Sequence, residues 1–416
     1  MSQSLKRTLT VGATILLVAL VGTQGYRMVA AQMKDSKEFG QPASKLEERT
    51  KSLQQFNPVL AALPASERDA DGNIALKNLF EASLRNQAIF ESSKLQYMPM
   101  WELGEKVSKD AEVNGLVDAV INAKEFKVKT VATAEEVLKT SNLNPERLTV
   151  RILCGMAEYN AYQGKHQEAI RYLGAAGRVT RFMSVFPEEV GVVACFGSTK
   201  MIAQSICSIL AEEPLAADQL KLYADFVKEA TFEASLHDVI AGEIQRMTVA
   251  SKSLGEYDEI ELMQLNGPGL NVDVHPTSSS APQAMVSQVV GFFDESLKAS
   301  KEKNEDPYQM GIAMDLNLRK WHDDLQPANY LIRTMPPIYE QAGRTILRIN
   351  QIWKSLNAAM ALAQNSKVEE HGMVATRTGN KIQVELPDPH KKFEKPAVGN
   401  VDVDQRVGVR INVTLP

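Results

Sequence analysis

The sequence predicts a mostly α-helical protein: an N-terminal transmembrane helix, an irregular multi-helix bundle with helical hairpins, and a small C-terminal antiparallel β appendage. Three observations predict it. The first is an uncharged run from Thr8 to Tyr26, which as a helix would be roughly 28 Å long, close to the hydrocarbon thickness of a bilayer. The second is the recurrence of apolar residues at three- and four-residue steps through most of the chain that follows. The third is a change to two-residue alternation beyond Ser366, the period of a strand with one buried face.

Composition agrees with a folded helical domain. The chain has 416 residues, 44% of them hydrophobic and only 6% aromatic, and Ala, Leu, Met, Glu, Lys and Gln are abundant, which favours helix. About 380 residues remain beyond the anchor, enough for one large or two ordinary domains. The net charge of -5 and the confinement of basic density to His390-Lys391-Lys392 with Lys395 argue against a nucleic-acid partner.

Residues 1–7 form a short tail and 8–27 the anchor, which makes membrane lipid the first partner. Lys6 and Arg7 precede the run and Arg27 follows it. A secretory signal with a cleavage site at Val29-Ala30-Ala31 is the competing reading. That site lies well past the apolar run, with Arg27 between them, so the uncleaved anchor is preferred. The large C-terminal part is expected on the extracytoplasmic side, since a large domain is exported largely regardless of its charge.

Residues 28–43 read as a polar connector and 44–250 as a helical domain. Ser44 and Glu47 have capping-box spacing and open a helix to about Phe56. Asp69-Ala70-Asp71-Gly72-Asn73 resembles the start of a calcium loop, but the twelfth position is Phe80, with Glu81 one residue late. A turn ahead of a helix over 74–92 is the better reading. Residues 101–123 read as one helix, with Leu103, Val107, Ala111, Leu116, Val117, Val120 and Ile121 on its apolar face. Thr133 and Glu136 repeat the capping-box spacing ahead of a short helix.

Asn144-Pro145 is a strong helix start, Asn as N-cap and Pro at the first helical position. The helix over 145–163 ends at Gly164, and a second runs over 166–182. Pro187 opens a long apolar helix over 188–211. Its length nearly suits a membrane, but Lys200, Gln204 and Ser205 make it a core helix. Helices through residue 230 and over 232–250 follow. Residues 251–282 hold Asn266-Gly267-Pro268-Gly269, His275-Pro276 and a Ser run, a long loop or hinge. In the helical continuation over 283–366, Met285, Val289, Phe293 and Leu297 mark one helix face. Ile346, Ile349, Trp353, Leu356, Met360 and Ala363 mark the most regular helix. Residues 367–416 form the β tail, with strands at 373–377, 381–386 and 407–415 and a turn at Thr378-Gly379-Asn380.

The stretch Gly164, Ala169, Leu173 and Ala176 is similar to the second half of a tetratricopeptide repeat. Gly164 matches the interhelix turn, Ala169 the small residue where the helices cross, and Leu173 and Ala176 the packing positions. The resemblance covers roughly 30 residues and implies a helical hairpin and a peptide-binding groove. In the first helix Leu153, Ala157 and Asn160 stand where large, small and aromatic residues are usual. No second copy follows. The whole chain also resembles bacterial single-pass membrane proteins with helical ectodomains, a group that implies no activity.

No catalytic, cofactor-binding or metal residue is assigned. His237-Asp238 with Glu243, and His322-Asp323-Asp324, have an acid–base or metal-like composition, but neighbours on a helix diverge by about 100°, so solvated helix faces are the better reading. Ser300 and Lys303 match a Ser-x-x-Lys spacing with none of its companion motifs. Cys154, Cys195 and Cys207 lie in apolar surroundings and read as small buried hydrophobes. The expected function is therefore a membrane-anchored scaffold or adaptor that binds protein in the bacterial cell envelope. An anchored hydrolase built on one of the His clusters, or a bitopic component of a secretion or pilus-assembly complex, is the alternative.

Overall fold

The helical hairpin around Gly164 forms as its sequence directs. In the computed structural model, which describes residues 70–90, 98–127, 143–186, 189–212, 214–240, 242–243, 290–298, 306–323, 338–368, 373–386, 401–403 and 409–416, α5 (Asn144–Tyr162) and α6 (His166–Ser184) pack along their lengths. Gly164 has φ +72°, and its N–H donates to Ala161 O while that of Lys165 donates to Asn160 O, the paired bonds of a left-handed helix stop. Asn144 is the first helical residue rather than the cap, which falls on Leu143.

Before the hairpin come α1 (Asp71–Arg85), the short α2 (Gln87–Phe90), α3 (Met100–Lys109) and α4 (Ala111–Asn122). The single helix expected over 101–123 is thus broken. Asp110 turns out of it with ψ 110° and caps the next helix by accepting from the Val113 N–H at 3.0 Å. It also accepts from Asn86 Nδ2 at 2.8 Å. A free carboxylate that satisfies a helix start can outweigh continued periodicity. The break re-aims the second half, so Val113 is buried and Ala111 exposed.

After the hairpin come α7 (Glu189–Glu212) and α8 (Ala217–Ala230). Among the described residues α7 is the one helix long and apolar enough to cross a membrane by length and composition. Here it packs against α5 and α6, burying Cys195, Ile202, Ala203, Ile206 and Cys207. Residues 236–240 and 290–298 are helical, and α9 (Pro307–Asp323) and α10 (Tyr339–Ala363) follow.

Helix α10 joins the parts. It packs against α7, α8, α9 and the C-terminal sheet, so one hydrophobic core runs from α1 to the last strand. Trp353 at its centre meets Phe232 edge-on, with centroids 5.9 Å apart. Asn350 clamps the backbone of Ala234, accepting its N–H at 2.8 Å and donating to its carbonyl at 3.0 Å.

The β appendage is a four-stranded antiparallel sheet in the order β1-β2-β4-β3: β1 Val374–Thr378, β2 Lys381–Leu386, β3 Val401–Val403 and β4 Val409–Thr414. Three strands were expected. The three-residue β3 is too short to show alternation. Ile382, Val384, Val409, Ile411 and Val413 are buried, and the sheet packs on α10 and α7. Arg377 of β1 donates to Leu362 O, Ala363 O and Asn365 Oδ1, tying the sheet to the carbonyls at the C-terminal end of α10.

The expected anchor at 8–27, the helices opened at Ser44 and Thr133, and the loop over 251–282 lie outside the described residues.

Candidate functional site

Two helix pairs share one unusual construction. Gly104 of α3 faces Gly155 of α5. A Cβ on Gly104 would overlap the Gly155 carbonyl, and one on Gly155 would overlap the Met100 carbonyl. In the same way Gly311 of α9 meets the Tyr339 carbonyl and Gly343 of α10 meets the Pro307 carbonyl. Both crossings bring backbone against backbone, which only glycine permits.

Each crossing then carries a buried carboxyl that caps the adjoining helix start. Asp315 of α9 accepts the Tyr339 N–H at 3.0 Å and the Glu340 N–H at 2.8 Å, both in the first turn of α10. Glu158 of α5 accepts the backbone N–H of Trp101, in the first turn of α3. The caps act between helices and satisfy amides that have no intrahelical partner.

Glu158 is the more isolated of the two. It is 4% exposed and also accepts Ser205 Oγ of α7 at 2.7 Å. Ser205 Oγ in turn lies 3.6 Å from Met100 Sδ. Burial raises the Glu158 carboxyl to about 7, against the pull of these two donors. Cys154, one turn earlier, is fully buried, and its thiol is pushed well above the usual range by burial and then by the Glu158 charge. Tyr162, one turn later, is half-buried and also raised, by burial, Glu158 and Glu212. Arg151 reaches Met98 O at 3.4 Å. Arg151, Cys154, Glu158 and Tyr162 thus form one polar stripe of α5, facing α3 and α7.

A thiol with so high a pKa supplies no thiolate nucleophile, and the Ser205 hydroxyl is spent as a donor to Glu158. The sequence reading passed over Glu158. Its signal is one carboxylate inside the largely apolar stretch 152–161.

The residues singled out from sequence are placed differently. Asp71 and Asn73 open α1 as a clip. Asp71 accepts the N–H groups of Lys124 and Glu125, each at 3.0 Å, and Asn73 exchanges two hydrogen bonds with the backbone of Lys127. The bonds from Lys124 and then Glu125 hold the Asp71 carboxyl below its ordinary value. Phe80 and Glu81 lie about 14 Å further along the same straight helix, so the segment does not curl into a calcium loop. His237 and Asp238 are half-buried and Glu243 is buried. His322 and Asp323 end α9, while their side chains, Asp324, Ser300, Lys303 and His390 lie outside the described residues. Among the described residues no three His, Cys, Asp or Glu side chains are grouped to hold a metal. Cys154, Cys195 and Cys207 are free and buried, and burial raises the Cys195 and Cys207 thiols to about 12.

Comparison with protein-family models, curated proteins and solved structures found no match to this chain.

Proposed function

We propose that the protein is a membrane-anchored helical scaffold that acts by binding another protein in the bacterial cell envelope. The anchor is the uncharged run at 8–27, and the tetratricopeptide-like hairpin is the recognition element. The supporting observation is how α6 divides its residues. His166, Ala169, Tyr172, Leu173, Ala176, Val179 and Phe182 face inward, and His166 Nδ1 lies 3.1 Å from the Tyr223 hydroxyl of α8. Gln167, Glu168, Arg171, Arg178 and Arg181 stay exposed. The interior residues hold the hairpin rigid, so a partner reads this charged stripe at little cost in ordering. Arg171 and Arg178 are already turned toward α4, through Asp118 and the Ile121 carbonyl, which leaves Arg181 as the residue to test.

Affinity capture of the intact protein from detergent-solubilised membranes, followed by mass spectrometry, is expected to recover the same companion protein in repeated preparations. The Arg181→Glu variant should fold normally and lose that companion. Recovery of the bait alone, or an unchanged companion with the variant, overturns the reading.

A further inference from the structure

The two glycine-paired crossings differ in one respect that matters for protons. Asp315 has two amide donors, and Arg319 on its own helix favours its charge. The hydrogen-bond partners of Glu158 are a hydroxyl and an amide rather than a cation. The walls around Glu158 are also unequal. Helices α5 and α7 are long and deeply buried, whereas the ten residues of α3 bury only Leu103, Gly104 and Val107, and Trp101, whose backbone N–H reaches the carboxyl, is 40% exposed. Water therefore reaches Glu158 most easily by displacing α3, the element with the least buried apolar surface holding it.

We propose that Glu158 is a proton-operated latch: protonated, it holds α3 on α5 and α7, and ionised, it lets α3 open. The regulated element is the α3–α5 crossing at Gly104 and Gly155, and the inference is independent of which partner the protein binds.

The groups around Glu158 make the direction clear. On α5 they are Arg151, Cys154 and Tyr162, of which Cys154 and Tyr162 stay neutral through the physiological range. From α7 come the Ser205 hydroxyl and, beyond Tyr162, Glu212. From α3 comes the Trp101 amide, while Glu102 pairs with Lys106 and Glu105 with Lys109 along the helix surface. From α1 and α6, Arg85 pairs with Glu112, and Arg171 with Glu168 and Asp118. Burial under the closed α3 raises the Glu158 carboxyl from its ordinary 4.5 to about 7. Its contribution to closure is thus complete below about pH 4.5 and is lost as pH rises through about 7.

Hydrogen exchange of the full chain, corrected for intrinsic rates, tests this. Protection of the α3 amides should fall between pH 5 and pH 9 by on the order of tenfold to a hundredfold. Protection of α9 and α10 should hold across the same range. In Glu158→Gln, which is close in shape, keeps one carbonyl acceptor and cannot ionise, α3 protection should no longer fall across neutrality. Glu146, raised to about 6 in the first turn of α5, is retained in that variant, so any residual change near pH 6 is separable. If Glu158→Gln does not fold, Ser205→Ala serves instead. Losing a donor to the carboxylate should move the wild-type midpoint to higher pH. Infrared titration of the wild-type carboxyls should show one band changing near neutrality. Flat α3 protection in the wild type, an equal fall in Glu158→Gln, an unmoved midpoint in Ser205→Ala, or no carboxyl titrating near neutrality overturns the proposal.

Discussion

Replacing Gly155 by alanine is expected to destabilise the protein by about 3 kcal/mol, although alanine is the better helix former. The propensity gain is about 1 kcal/mol. Against it, the new methyl group would stand inside the Met100 carbonyl and 3.1 Å from the Gly104 nitrogen. Both are backbone atoms, so no rotamer change relieves the overlap. α3 must move away from α5, and its Trp101 amide then moves off Glu158. Gly343→Ala at the α9–α10 crossing should cost a similar amount, since its methyl group would overlap the Pro307 carbonyl. Gly115 and Gly174 are helical glycines with nothing within 4 Å of an added Cβ. Alanine at either should raise stability by about 0.5–1 kcal/mol. Chemical denaturation of the four variants gives the comparison, and a stabilising effect at Gly155 would show that the helices do not approach so closely.

Ile206→Lys should cost more than about 4 kcal/mol and leave little folded protein. Ile206 is fully buried on α7, as are Ile202, Ala203 and Cys207, so a lysine there is cut off from water. Val193, on the same helix but 44% exposed, should accept lysine with a change within about 0.5 kcal/mol. Far-ultraviolet circular dichroism during thermal unfolding measures both. The contrast distinguishes a bundle helix, which has a wet side, from a lipid-facing helix, for which a charge at either position is costly.

Much of the architecture was legible because local signals carried it. Asn144-Pro145 and Gly164 bound the first helix of the hairpin, and alternation found β1, β2 and β4. The buried faces of α6 and α10 follow from three- and four-residue steps. The features that organise the interior were not legible, because each depends on a partner far along the chain. Nothing in the sequence around Gly104 and Gly155 shows that the fold sets them against each other. Asp71 read as a loop residue because Lys124 and Glu125, which it holds, lie more than fifty residues away. Asp110 broke a helix whose apolar spacing gave no warning. Nothing in the helices that carry Asp315 and Glu158 shows that another helix begins beside them. Helix α9 escaped notice because Pro307 and Gly311 weaken its pattern, and that same glycine allows the close crossing.

Two apolar segments are set apart: α7 packs inside the bundle, and we propose that the uncharged run at 8–27 enters lipid. Alkaline carbonate extraction of membranes tests this most directly, with the full chain compared to a Leu17→Arg/Leu20→Arg variant. The native chain should pellet with its N-terminus intact, and the variant should be released as a folded, helical protein. A variant that still pellets, or a native chain recovered in the supernatant with residues 1–27 attached, contradicts the account.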